Sequence, residues 1–320
     1  MITKNAKSSL LRKVKPFMAY FLNTLFGSIT PMCITALVTM AITLIFKTSF
    51  TTNFAQGVIS AFGAYVVSSA FAKLGLSLWL SLPIGMLAAM LIAVGVDVLI
   101  FRNGRYVNAL GKQIITMGLI SLVVGVIPLI FGLNDPAFKS FVNGNFTITL
   151  SDGSVATVTK NSLVCLALAA SVIAVIFILL RFSKWGLSVR ATASNEYVAG
   201  MMGINTHIVT AISWGLAGAL GALAATINAS SGTVISGYFM TNYQVYAFLA
   251  GILGGFSTFY GPVIAALMIP LANNLVQYIV NVAGKPELTG WSMVIVYAVA
   301  LVIIFFRPQG IFGKKIARKV

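Results

Sequence analysis

Between Pro16 and Phe306 the chain is a succession of apolar runs, separated by short stretches that hold most of its charge. A helix needs about 20 apolar residues to cross the hydrocarbon core of a bilayer. Six runs have that character: 54–72, 79–101, 113–132, 162–180, 207–229 and 289–306. The composition agrees, because hydrophobic residues make up 59% of the 320 positions and charged residues only 8%. A soluble domain carries about 25% charged residues to face water. This chain cannot clothe a globule in that way, so lipid must cover most of it. The expected fold class is all-α, a polytopic transmembrane helical bundle.

Two further stretches, 16–46 and 243–282, are each long enough for two short spans. Glycine and proline interrupt the first at Gly27-Ser28-Ile29-Thr30-Pro31. They interrupt the second at Gly254-Gly255 and Gly261-Pro262. The expected count is therefore about 8–10 segments, some broken or re-entrant. With ten, both ends lie on one side, and only Lys73, Lys139, Lys160 and Lys285 of all the basic residues fall on the other. Lysine and arginine stay cytoplasmic during insertion, which makes the common side the cytoplasm. If only one of the two stretches is paired, the termini fall on opposite sides. The ten-segment reading divides the chain into a basic cytoplasmic N-terminus over 1–15 (Lys4, Lys7, Arg12, Lys13, Lys15), a membrane domain over 16–306 and a basic cytoplasmic C-terminus over 307–320. No small-residue cleavage site closes the first apolar stretch, so the N-terminus reads as retained rather than as a signal peptide.

The net charge of +16 is distributed between apolar runs rather than along one face of a domain, so nucleic acid is not an expected partner. The two cysteines, Cys33 and Cys165, sit inside apolar runs and read as small hydrophobes.

Two loops carry structure of their own. In the external segment 133–161, residues Phe146 to Thr159 alternate apolar and polar around Ser151-Asp152-Gly153-Ser154. Asp-Gly between alternating β-formers predicts a small external β-hairpin, either a passive connector or a docking surface. In the cytoplasmic loop 181–206, Ser194 can cap a short helix over about 195–202 that Gly203 ends. Such a helix either lies on the membrane surface or sits in a groove of a partner protein.

No residue set looks catalytic. His207 stands at a loop–span boundary without a second ligand type at metal spacing, so no metal is expected. Gly111-Lys112-Gln113 lacks the spacing and the hydroxyl of a phosphate-binding loop, so another source must supply energy for uphill transport. Asp97 is the only acid within a span, about a turn from its cytoplasmic end, with Arg102 and Arg105 nearby. An intramembrane carboxylate is a functional candidate by default, and an interfacial group paired with arginine is the plainer reading. With no other carboxylate at membrane depth, an ion-coupled secondary carrier is disfavoured.

Four blocks in order carry a family resemblance. Asn53-Phe54-Ala55-Gln56-Gly57 with Gly63-Ala64-Tyr65 is the first, and Gly186-Leu187-Ser188-Val189-Arg190-Ala191 leading to Met201-Met202-Gly203-Ile204-Asn205 the second. Gly251-Ile252-Leu253-Gly254-Gly255 with Gly261-Pro262 is the third, and Phe306-Arg307-Pro308-Gln309-Gly310-Ile311-Phe312-Gly313 the fourth. Together they resemble the permeases of branched-chain amino acid ABC transporters. Gln56 replaces a histidine common in that family, and Phe256-Ser257 replaces a Gly-Ser pair.

The resemblance implies an inner-membrane importer subunit with no cofactor of its own. Its implied partners are two cytoplasmic ABC ATPases, a second permease subunit (related or identical), an external solute-binding protein and membrane lipid. The implied solute is leucine, isoleucine, valine or a related small molecule. Permeases of the same fold serve urea, sugars or nucleosides. Under this reading the loop 181–206 couples to an ATPase through Gly186, Arg190, Glu196, Gly203 and Asn205. The hairpin and the 230–242 loop become candidate docking surfaces for the binding protein. Glycine-broken helices at mid-membrane expose backbone polar groups, which makes Asn53, Gln56, Gly57, Gly254 and Gly255 candidates for lining the solute path. Asn273, Asn274, Gln277 and Tyr278 share one helical stretch and either face that path or bond a neighbouring helix.

Overall fold

The computed structural model describes residues 2–104, 107–132, 138–150 and 153–313. Arg105, Ser151, Asp152 and residues 314–320 of the basic C-terminus, all used in the sequence reading, lie outside these. Helix α1 spans Ile2–Ser49, α2 Gln56–Lys73 and α3 Leu78–Gly95, which continues as a π-helical turn over Val96–Phe101. Helix α4 follows over Ala109–Phe131, then strands β1 (Asn145–Thr149) and β2 (Val155–Thr159). Helices α5 (Lys160–Phe182), α6 (Lys184–Ser194) and α7 (Glu196–Met201) come next. The chain ends with α8 (Thr206–Ser230), α9 (Thr241–Gly254), α10 (Tyr260–Val282), a 3-10 turn (Pro286–Trp291) and α11 (Ser292–Phe306).

Among the described residues, seven helical stretches are long and apolar enough to cross a membrane. Helix α2, with 18 residues, and α9, with 14, add two shorter ones. At 1.5 Å per residue α9 runs only about 21 Å, short of the ~30 Å hydrocarbon core, so it is the half-span that the sequence reading anticipated beside Gly254.

The first long stretch is not broken. Helix α1 is one continuous helix through Gly27 and Pro31, where the sequence predicted an interruption and two spans. Pro31 removes the helical donor to the Gly27 carbonyl, and packing of α1 against α8, α10 and α5 holds the helix together through that point. Ser28 Oγ donates to Thr24 O at 2.8 Å, Thr35 Oγ1 to Pro31 O at 2.8 Å, and Thr30 Oγ1 to Ser162 Oγ on α5 at 3.1 Å.

Helices α1 and α8 form the centre of the bundle. In their most apolar windows 78% and 72% of residues are buried, against 33% or less in the other five candidate spans. On one flank α1 packs against α10, α9 and α5, while α8 also receives α2 and α3. The close approach of α3 to α8 follows from Gly215 and Gly218, while Gly221 makes room for Gln56 and Ser60 of α2. A Cβ at Gly218 would run into the backbone carbonyl of Ala89, and one at Gly215 would lie 2.9 Å from Val94 Cγ2. Small residues of this kind let helix backbones approach in a membrane, where lipid tails compete equally for apolar surface.

The bundle has two distinct ends. At one, β1 and β2 pair antiparallel with Asn145 opposite Thr159, and Asn23 of α1 fixes the hairpin by accepting from Thr157 N at 2.7 Å. At the other, Lys47 near the end of α1 donates to Ser257 O at 2.6 Å, and Ile311 N bonds Leu253 O at 2.7 Å. Because α1 is single, it carries the chain from the hairpin end to the opposite end. Residue 18 and residue 313 therefore lie at opposite ends of the bundle.

Candidate functional site

The segment 181–206 is more helical than its sequence suggested. Ser183 caps α6 through its hydroxyl, which accepts from Gly186 N at 2.9 Å, and α6 folds back on the end of α5. That return needs glycine at 186, where a Cβ would overlap the carbonyls of Leu179 and Leu180. The Arg190 guanidinium donates to Leu180 O, which satisfies one of the last carbonyls of α5. Gly186 and Arg190 thus hold the turn rather than point away from it.

The short helix α7 is the one expected, with one correction to its cap. Asn195, not Ser194, accepts from Val198 N at 3.1 Å, because Ser194 closes the preceding helix. Gly203 ends the segment at φ +84°, a left-handed conformation that favours glycine. Asn205 then caps α8 by accepting from Ile208 N at 3.2 Å. Glu196 is exposed at the start of α7. Beside it lie three exposed apolar side chains that the sequence reading did not single out: Tyr197 at 76%, Met201 at 65% and Met202 at 79%. A recess of about 820 Å³ opens here, bordered by Phe50, Glu196, Tyr197, Met201 and His207. Exposed apolar surface on a loop between spans marks a contact with another molecule.

Asn53, Gln56 and Gly57 come together, but buried at 0% and 1% exposure for the first two. Asn53 Oδ1 accepts from Ala55 N at 3.0 Å, and Gln56 Nε2 donates to Ala217 O on α8 at 2.9 Å. Helix α2 has no cap of its own. Gln244 of α9 supplies one, accepting from Gly57 N at 2.5 Å and donating to Phe54 O at 2.7 Å. Sequence reasoning missed Gln244, although a glutamine inside a short apolar helix is a visible signal of a buried partner.

Gly254 and Gly255 lie elsewhere, in the α9–α10 turn. Gly254 meets the Gly261–Pro262 backbone, and Gly255, at φ +81°, lies against Gln309, Gly310 and Gly313. The third and fourth sequence blocks thus form one packed turn. On α10, Asn274 donates to Ser28 Oγ at 2.9 Å and Gln277 to Ser292 Oγ at 3.2 Å, both bonds to neighbouring helices. Asn273 Oδ1 is buried without a hydrogen-bond partner among the described residues. Tyr278 is buried and stacks on Tyr20 at 5.1 Å.

Asp97 is buried in the π-helical turn, where Arg102 N bonds its backbone carbonyl at 2.9 Å. The positive charges that act on its carboxylate are those of Arg102 and Lys112. Arg102 also reaches the carbonyl of His207 at 3.5 Å, at the start of α8. Cys33 and Cys165 are buried, unpaired thiols.

A bundle with, among the described residues, seven helices long and apolar enough to cross a membrane is the architecture of a polytopic membrane protein. The model of the permease component of the branched-chain amino acid transport system matches residues 24–304, and the chain belongs to that family. It is 26% identical over 309 residues to the high-affinity branched-chain amino acid transport system permease protein LivH of Salmonella typhimurium, covering 94% of this chain and 98% of the relative. It is 22% identical over 313 residues to BraD of Pseudomonas aeruginosa, a high-affinity permease protein of the same kind of system, covering 95% and 100%. A probable branched-chain amino acid transport permease protein LivH of Methanocaldococcus jannaschii is 26% identical over 310 residues, covering 91% and 93%. Among solved structures, PsaBC from Streptococcus pneumoniae in complex with Fab matches with a TM-score of 0.53, 12% identity and 97% coverage of each chain. That likeness is one of fold.

Proposed function

We propose that this chain is the membrane-spanning subunit of an ABC importer that moves branched-chain or related hydrophobic amino acids inward. Family membership and the permease relatives support the substrate class. The exposed apolar face of α7 is the observation that carries the coupling role. It is too short to span and lies on a loop between α5 and α8, with Tyr197, Met201 and Met202 facing outward. This face would dock in a groove of a cytoplasmic ATPase, with Glu196 at its polar edge. Gly186, Arg190, Gly203 and Asn205 would act by holding α6, α7 and the start of α8 in register.

The end of the bundle that bears α7 is then cytoplasmic. Lys47, Arg102, Arg181, Lys184, Arg190 and Arg307 gather at that end or on its loops, in keeping with the positive-inside bias. The hairpin end faces an external binding protein. A second permease subunit, identical or related, would complete the pathway, and two ATPases would drive it in the inner membrane. Asn53, Gln56 and Gly57 act as a fixed wall of the path, and Gly254 and Gly255 as its packed cytoplasmic turn. Asn273 supplies a polar group along it.

The test is retention of the ATPase by affinity-tagged chain from gently solubilised membranes. The double variant Tyr197→Ala, Met201→Ser is expected to retain at least tenfold less ATPase activity while eluting as a folded species. Unchanged retention, or leucine accumulation by proteoliposomes that hold only this chain and an ion gradient, would overturn the coupling role.

A further inference from the structure

At the hairpin end a cavity of about 440 Å³ lies between α1, the start of α5, the end of α8 and Tyr243 of α9. Its volume is in the range of small-molecule sites, about 300–1,000 Å³. Among the described residues no Lys, Arg, Asp, Glu or His lines it, and hydroxyls and amides dominate its wall. A ligand suited to this lining is polar but carries no net charge.

The wall is also held together by its own hydrogen bonds. Asn161 is buried and ties the start of α5 to the end of α8, donating to Ser230 O at 3.1 Å and accepting from Phe141 N at 3.0 Å. The start of α5 and the end of α8 therefore meet at one cavity with their end groups already bonded, Lys160 N to Gly144 O, Ser162 N to Thr159 Oγ1, Ser230 O to Asn161 and Ser140, and Ile227 O to the Ser230 and Ser231 hydroxyls. Gly27 adds a carbonyl that Pro31, lacking an N–H, leaves without its helical donor. Val142 and the ring of Tyr243 supply apolar wall, and the Tyr243 hydroxyl makes no hydrogen bond among the described residues. The nearby Lys160 ammonium stands over the Phe146 ring at 5.0 Å.

We propose that this cavity is the external intake site of the permease, which holds a zwitterionic α-amino acid before it enters the membrane path. The carboxylate lies toward the Tyr243 hydroxyl, the ammonium toward the Gly27 carbonyl, and the side chain against Val142 and the Tyr243 ring. This proposal rests on the importer reading and adds where and how the solute is first held.

The experiment measures equilibrium binding of tritiated L-leucine to the purified permease–ATPase complex in nanodiscs, without binding protein or nucleotide. Saturable binding is expected, with Tyr243→Phe weakening it about fivefold and Ser231→Trp, which fills the cavity mouth, abolishing it. Leucinamide and N-acetyl-leucine, each singly charged, should compete at least tenfold less well than valine. ATPase copurification and melting temperature report whether each variant is folded, and Tyr243→Phe removes only an oxygen. Unchanged affinity in Tyr243→Phe together with equal competition by the charged analogues would overturn the proposal. So would the absence of saturable binding in a complex whose full importer still takes up leucine. If the full importer takes up no leucine at all, the substrate reading itself falls and the intake site with it.

Discussion

Gln244 and Gly57, 187 residues apart in the chain, share one hydrogen bond that caps the buried start of α2. A Cβ at position 57 would stand 2.6 Å from the Gln244 oxygen, so the glycine is what lets the glutamine in. Replacing Gln244 by leucine strips partners from Gly57 N–H and the Phe54 carbonyl. A buried unsatisfied polar group costs about 1–3 kcal/mol. Gln244→Leu and Gly57→Ala should each lower the melting temperature of the detergent-solubilised protein by several degrees. An unchanged melt in both would remove Gln244 from its capping role.

The glycines of α8 and α4 make a matched pair of tests. Gly218 faces the backbone of Ala89, whereas Gly125 meets no atom within 4 Å. Overpacking a tight interface costs about 1–3 kcal/mol, and here the obstacle is backbone, which cannot rotate away. Gly218→Leu should aggregate or elute poorly on size exclusion, while Gly125→Leu should behave as the parent. Equal behaviour would mean that α3 and α8 are not in such close contact.

Sidedness follows from the unbroken α1. Between Asn23 and Ser49 it covers about 39 Å, enough to cross the ~30 Å core once. Single cysteines at Lys4 and Thr147 should label from one face of sealed vesicles, and one at Ser194 only from the other. The positive-inside bias alone would put the basic residues of 1–15 with Ser194. Labelling of position 4 together with position 194 would show that the segment before Asn23 turns back across the membrane.

Asn273 offers a separation of stability from transport. Its carbonyl oxygen is buried and unpaired among the described residues, so Asn273→Leu should leave the melting temperature unchanged or raised. If the group faces the solute path, leucine uptake by the same variant falls severalfold. Normal uptake would return Asn273 to a packing role.

The spans were legible because each is an apolar run that ends where charge begins. The run 162–180 became Lys160–Phe182 and 207–229 became Thr206–Ser230. The hairpin was equally plain, since Asp-Gly punctuation and alternation are local signals. Its Gly153 adopts φ +78°, as such a turn requires. Two features were not legible. Pro31 reads as a helix breaker in any local window, and only burial between α8, α10 and α5 keeps α1 whole. Helix α6 lacks a clean apolar stripe and takes its place from the fit of Gly186 under the end of α5. The candidate path residues show a similar divide. Asn53, Gln56 and Gly57 stand out as polar and small within an apolar run, but their partners lie on α8 and α9, and no periodicity encodes a contact so distant in sequence.

The central position of α1 has a consequence for how the protein is made. It leaves the ribosome before α2 to α11, and Thr30, Thr35, Thr39 and Thr43 on it are buried in the finished bundle. Its principal neighbours α8 and α10 do not exist until everything from Phe50 to Asn205, and more, has been synthesised. The hydroxyl-bearing face must therefore wait in lipid or beside the insertion machinery, and the interior of this protein closes around a helix made long before its neighbours.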